Sequence, residues 1–120
     1  MSEPAFEIPD YLPEDLPQFG PGQIVRHCRY GYRGLIIDFD MRCLADESWY
    51  ENNQTQPDRE QPWYHVLVDG SSTVTYSAEE NLVPEEFDQG PIEHPLLEAL
   101  FEAQGDDGYR RNDRPWPGWR

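Results

Sequence analysis

Five short β-rich segments, none longer than six residues, lie between Gly20 and Pro84 and constrain the fold more than any other feature of the sequence. Residues 23–27 and 35–40 flank a tyrosine-rich turn at 30–34 that holds two glycines, and together they predict a hairpin. Residues 63–68 form the strongest strand pattern, turn residues follow at 69–72, and 73–77 return as a second hairpin. A short turn over 78–82 feeds a last strand at Leu82 and Val83, which Pro84 ends. Strands this short would leave open edges in a flat sheet, so the expected architecture is a mainly β chain closing a small barrel of about five strands.

Alternation sets the expected core. Leu35, Ile37 and Phe39 share one face of their strand, while Ile36, Asp38 and Asp40 share the other and look outward. Ile24, Val66, Val68 and Leu82 complete the interior, although residues 63–68 are apolar on both faces.

The chain has 120 residues, room for one domain. Pro4, Pro9, Pro13 and Pro17 forbid a helix near the acidic N-terminus and favour an extended strap or a free extension. Asp46 is placed to cap one or two helical turns over 46–53, with Trp49 or Tyr50 as anchor, before a polar surface loop. Residues 93–103 carry Pro95 in a permitted first-turn position and Leu96, Leu97, Leu100 and Phe101 at helical spacing, which predicts a C-terminal amphipathic helix. That helix needs a surface for its apolar stripe, either on its own barrel or on a neighbouring subunit, and the second case is a homo-oligomer. The resulting division is an extension at 1–18, a β-barrel at 19–84, a linker and helix at 85–103, and a flexible Arg/Trp-rich tail with little regular structure at 104–120.

Nine basic and 24 acidic residues leave a net charge of −15, which disfavours strong general affinity for nucleic acid or anionic membrane. Four Trp, seven Tyr and five Phe nonetheless supply the large side chains of a real core. Positive charge is confined to two places. Arg26, Arg29, Arg33 and Arg42 against two aspartates put residues 20–44 at +2. The tail holds Arg110, Arg111, Arg114 and Arg120 around Trp116 and Trp119. Every basic residue is arginine, whose rigid fork suits carboxylate or phosphate, although genome base composition explains the same bias. No run approaches the roughly 20 apolar residues of a membrane span. The N-terminus is acidic where a secretory signal is basic, so a soluble cytoplasmic protein without a membrane partner is expected.

His27, His65, His94, Cys28 and Cys43 are the soft metal-ligand candidates, and none falls in a paired-cysteine or helical histidine-pair pattern. His27 and His65 could meet on neighbouring strands and recruit a carboxylate, but they read as ordinary hydrogen-bonded strand histidines, and the cysteines as two free thiols, with no metal or cofactor implied. Asp38 and Asp40 form a carboxylate pair on one strand face, a pattern shared by acid/base sites and by solvated surface charge. No phosphate loop, nucleophile elbow or triad spacing is present, so a non-enzymatic chain is expected. The turn at 28–34 interleaves Arg29 and Arg33 with Tyr30 and Tyr32. Such a loop suits phosphate contact with ring stacking, and it equally suits tyrosines plugging one mouth of a barrel with solvated arginines beside them.

Several blocks in order carry a family resemblance. They are Phe19-Gly20-Pro21-Gly22-Gln23-Ile24-Val25-Arg26-His27, Tyr30-Gly31-Tyr32-Arg33-Gly34, Trp49-Tyr50, Gln61-Pro62-Trp63-Tyr64-His65-Val66-Leu67-Val68, and Tyr76 with Ala78-Glu79-Glu80-Asn81-Leu82. Over roughly residues 19–83 the chain resembles the YccV-like hemimethylated-DNA-binding domain family, that of the heat-shock protein HspQ. The resemblance implies a small SH3-like β-barrel without catalytic activity or required cofactor. It implies binding of hemimethylated DNA, and alternatively work with an ATP-dependent protease as substrate, adaptor or specificity enhancer in a stress response. It brings no site residues, so the expected DNA contacts come from charge and geometry: Arg26, Arg29, Tyr30, Tyr32, Arg33 and Arg42.

Overall fold

Strands β1 (Ile24–His27), β2 (Arg33–Asp40), β3 (Trp63–Val68), β4 (Val74–Ala78) and β5 (Leu82–Pro84) build one antiparallel sheet in the order β4-β3-β2-β1-β5. They lie in a computed structural model that describes residues 17–53, 56–86, 90–103 and 108–116. The proline-rich stretch up to residue 16, and Trp119 and Arg120 of the tail, lie outside the described residues.

The ladder ends at β4 on one side and β5 on the other, and no pairing joins the two, so the expected barrel does not close. The 3₁₀ turn Glu79–Asn81 carries the chain from β4 to β5. Within it the Glu79 amide donates to the Pro62 carbonyl and the Asn81 carbonyl accepts from Cys28. These bonds prolong the β3–β4 and β1–β5 ladders through the turn and leave the outer edges of β4 and β5 open.

Both faces of the sheet are covered, which alternation in one strand does not anticipate. On one face Phe19, Val25, Ile36, Tyr64, Val66 and Leu82 pack together. On the other, Leu35, Ile37 and Leu67 meet Ile92, Leu100 and Phe101 from the C-terminal segment. Ile36, expected to look outward, is therefore fully buried beside Leu35 and Ile37. A register shift between Ile36 and Asp38 on β2 then moves Phe39 to the Ile36 face, where it is only half-buried. Ile24 and Val68, expected inside, are likewise half-buried.

The C-terminal stripe docks as expected, but not as one helix over 93–103. Helix α2 spans only Leu97–Leu100, and Phe101–Ala103 form β6, paired with β7 (Tyr109–Arg111). The helix stops because Asn112 takes over its last carbonyls: its amide donates to Leu100 and its side-chain nitrogen to Ala99. Regular structure thus continues beyond residue 104, where little was expected. Arg111 ties β7 to the sheet, its Nε donating to the Ile37 carbonyl at 3.1 Å and its Nη2 lying 3.2 Å from Asp38. At Gly22 a positive φ and a close approach coincide, since a Cβ there would overlap the Tyr109 carbonyl.

The short helix expected after Asp46 forms as α1 (Glu47–Glu51), with the Asp46 carboxylate accepting from the Trp49 amide at 2.8 Å. It seats Trp49 and Tyr50 against Trp63 in a third cluster with Cys43, Ala45, Tyr76 and Ala78.

Candidate nucleic-acid interface

The turn between β1 and β2 is organised by His27. Its Nδ1 accepts from the amides of Arg29 and Tyr30 at 3.1 and 3.0 Å, so the neutral ring carries its proton on Nε2. Burial, and then the nearby Arg29 charge, hold the His27 pKa below its ordinary value, which keeps Nδ1 an acceptor. The ring stacks on Tyr30 at 4.7 Å and lies 5.0 Å from Tyr32. Gly31 sits at φ +78° and lets the chain reverse.

Tyr32 latches this turn to the far edge of the sheet. Its hydroxyl lies 2.7 Å from Thr75 Oγ1 and 3.0 Å from Ser77 Oγ on β4. Burial raises the Tyr32 pKa, so the hydroxyl stays protonated and keeps its hydrogen bonds.

A second aromatic wall rises on the other face of β4. Trp49 and Trp63 stand 5.6 and 5.3 Å from Tyr76, and His65 stacks on Tyr76 at 4.5 Å. The Tyr76 hydroxyl donates to Asp40 Oδ2 at 2.6 Å and accepts from the Leu44 amide at 3.1 Å. Burial and the Asp40 hydrogen bond push its pKa well above the ordinary tyrosine value. Between the walls, along the β4 edge, lies a cleft of about 430 Å³. Its lining includes His27, Tyr30 and Tyr32 on one side, Trp49, Tyr76 and Trp116 on the other, and the polar groups Thr75, Ser77 and Asn81.

The four arginines of residues 20–44 do not converge. Arg29 is exposed on the turn and makes no ion pair among the described residues. Arg26 points back to the Gly31 carbonyl at 2.7 Å and pairs with Glu85. Arg33 is buried and pairs with Asp69 at 2.9 Å. Arg42 lies past the far end of β2 beside Glu60, a strand of eight residues and hence roughly 25 Å from the turn. Tyr30 and Tyr32 do meet, at the lip and floor of the cleft.

Sequence reasoning did not include Trp49, Trp63, His65 and Tyr76 in the site. For Trp63 and His65 a signal lay in the run 63–68, whose two faces both lack charged carboxylates or arginines and so do not mark one as solvent-facing; Trp49 and Tyr76 carried none. The Asp38 and Asp40 carboxylates are separately engaged, by Arg111 and Tyr76. His27 and His65 stand on β1 and β3, which β2 separates. Among the described residues no group of three His, Cys, Asp or Glu is placed to hold a metal ion. No helix among them is long and apolar enough to cross a membrane.

Residues 17–108 match the family model described as hemimethylated DNA-binding protein YccV like. That span takes in the five-stranded sheet, both walls of the cleft apart from Trp116, and the α2–β6 segment that covers the second face. The chain belongs to the YccV-like hemimethylated-DNA-binding family.

Proposed function

We propose that this chain is a non-enzymatic module that binds hemimethylated duplex DNA through the turn at 28–32 and the lip of the aromatic cleft. The observation that carries the reading is Arg29, an arginine without an ion pair among the described residues, standing beside the exposed Tyr30 in a chain of this family. A net charge of −15 repels a duplex at long range, so only such a local contact can hold one. Arg26 is the second candidate, because its side chain keeps about a third of its exposure despite Glu85. A base methyl in the major groove is read by apolar contact, which the Tyr30 ring offers.

Two phosphate contacts give a slope of about −1.8 in log K against log salt. Titration of matched unmethylated, hemimethylated and fully methylated duplexes at several salt concentrations tests the reading. Arg29→Ala is expected to weaken all three duplexes and flatten the slope by about 0.9. Arg42→Ala is expected to change neither. Equal affinity for the three methylation states would overturn the reading.

A second reading, protein–protein work as an adaptor, substrate or specificity enhancer of an ATP-dependent protease, is favoured by the strongly acidic charge and the open strand edges at β4 and β5. Absence of duplex binding at low salt would transfer the assignment to it.

A further inference from the structure

We infer that the cleft along β4 receives a single nucleotide swung out of the duplex, its base laid against the aromatic rings that line the strand edge and its phosphate at Arg29. The inference rests on the DNA reading above and goes beyond it, since surface contact with an intact duplex needs no cavity.

Shape is the first reason. A base inside a duplex is reached only at its groove edge, whereas the cleft is concave and flanked by rings on both sides of a strand edge. Its volume of about 430 Å³ lies in the range of sites that enclose a small molecule. A base can occupy such a site only after leaving the stack.

Lining chemistry is the second. The flat rings of the lining suit a flat π-system, and the Thr75 and Ser77 hydroxyls with the Asn81 amide offer neutral hydrogen-bonding groups for its edge. Among the described residues no carboxylate lines the cleft itself, although Asp40 stands behind its wall on Tyr76 and Glu80 adjoins the lining Asn81; at the opposite end Arg29 adjoins the lining residue Tyr30. An anionic aromatic ligand meets the Arg29 cation at the Tyr30 end of the cleft. A purely apolar ligand would leave the hydroxyls and amide without partners.

An orphaned donor is the third. Trp116 lines the cleft, and its Nε1–H is buried without a hydrogen-bond acceptor among the described residues. A buried N–H of this kind lacks an acceptor, and a base whose entry shifts the indole can supply one through its carbonyls or ring nitrogens.

The wall that would receive the base is also held in advance. His27 fixes the turn through two backbone amides, and the Tyr32 latch joins it to β4, so little ordering remains on binding.

The test uses the wild-type protein and hemimethylated duplexes carrying N6-methyladenine or 5-methylcytosine, each prepared with the target base matched or mismatched. A mismatch removes part of the unpairing cost, so extrusion predicts that it tightens binding about tenfold at the target position and not elsewhere in the site. Trp116→Phe, which keeps the ring and removes the donor, is expected to reduce that gain without changing the salt slope. Equal affinity for matched and mismatched duplexes, with the hemimethylated preference intact, would overturn extrusion and leave the DNA reading standing. Failure of every duplex to bind at low salt would overturn both.

Discussion

The Arg33 guanidinium is buried against Asp69, with Nη2 at 2.9 Å and Nε at 3.1 Å from the same carboxylate oxygen. Two further donors go to the carbonyls of Gly90 and Pro91, and the other Asp69 oxygen accepts from the Glu93 amide at 2.7 Å. One ion pair thus pins the start of β2, the β3–β4 turn and the linker at 90–93 to each other. Asp69→Ala leaves the guanidinium without a counter-charge and is expected to cost about 3 kcal/mol, measured by denaturant unfolding. Arg33→Ala is expected to lose stability as well, with the salt slope of any DNA binding unchanged, because its donors face inward.

Acid should weaken the same tie. Burial opposes ionisation of Asp69, but the Glu93 amide and the Arg33 guanidinium outweigh it and hold its pKa below the ordinary 3.8. The unfolded carboxyl therefore takes up its proton first as pH falls. Its contribution is complete above about pH 4 and is lost as pH drops through the lower folded value. Melting temperatures of wild type and Asp69→Ala should accordingly converge in acid.

His27 makes an earlier pH dependence. The folded ring resists protonation because it is buried and faces Arg29, whereas the unfolded ring titrates near 6.5. The unfolded chain then binds more protons just below that pH, so stability is full above about 6.5 and falls as pH is lowered toward the depressed folded value. Asn at this position places an acceptor oxygen where Nδ1 stands and does not titrate. His27→Asn is expected to flatten the melting temperature between about pH 7 and 5; an equal slope in the variant would show that other groups cause it.

Leu100 tests the cover on the second face of the sheet. It is buried with Leu35, Ile37 and Leu67 although it comes from a helix of four residues. Leu100→Ala is expected to cost about 2–5 kcal/mol, as for a packed core leucine. Loss of less than about 0.5 kcal/mol in denaturant unfolding would mean that the C-terminal segment does not share the core.

Local features were legible in the sequence and long-range ones were not. Asp46 capping α1 is readable because donor and acceptor are three residues apart, and Trp63–Val68 because its whole pattern lies in one run. Burial of Ile36 depends on Phe19, Tyr64 and Leu82 arriving from other parts of the chain, so an alternating strand with two outward aspartates looks one-sided. Arg33 and Arg29 are alike as neighbours of tyrosine in the sequence, and only the distant Asp69 separates a buried tie from an exposed cation. Tyr30 and Tyr32 stood out in the sequence as a tyrosine pair in one tight turn, but nothing there marked a cleft. The opposite wall was hidden because Trp49 read as the anchor of a short helix and Trp63 and Tyr76 as ordinary strand residues, whereas they serve the third cluster and the cleft at once.

The Tyr32 latch separates stability from recognition. Removing only its hydroxyl, in Tyr32→Phe, keeps the ring packed against the first core face but frees the turn from Thr75 and Ser77. Those two hydroxyls still bond weakly to each other at 3.5 Å, so the stability cost is expected to stay near 1 kcal/mol. The wall carrying Tyr30 and His27 then loses its tie to β4, and amide exchange at Gly31, which donates to the His27 carbonyl, is expected to quicken. Arg29 is untouched, so the salt slope of duplex binding should match that of wild type while the preference for hemimethylated over unmethylated duplex falls. A preference retained in full would place methyl recognition away from this wall of the cleft.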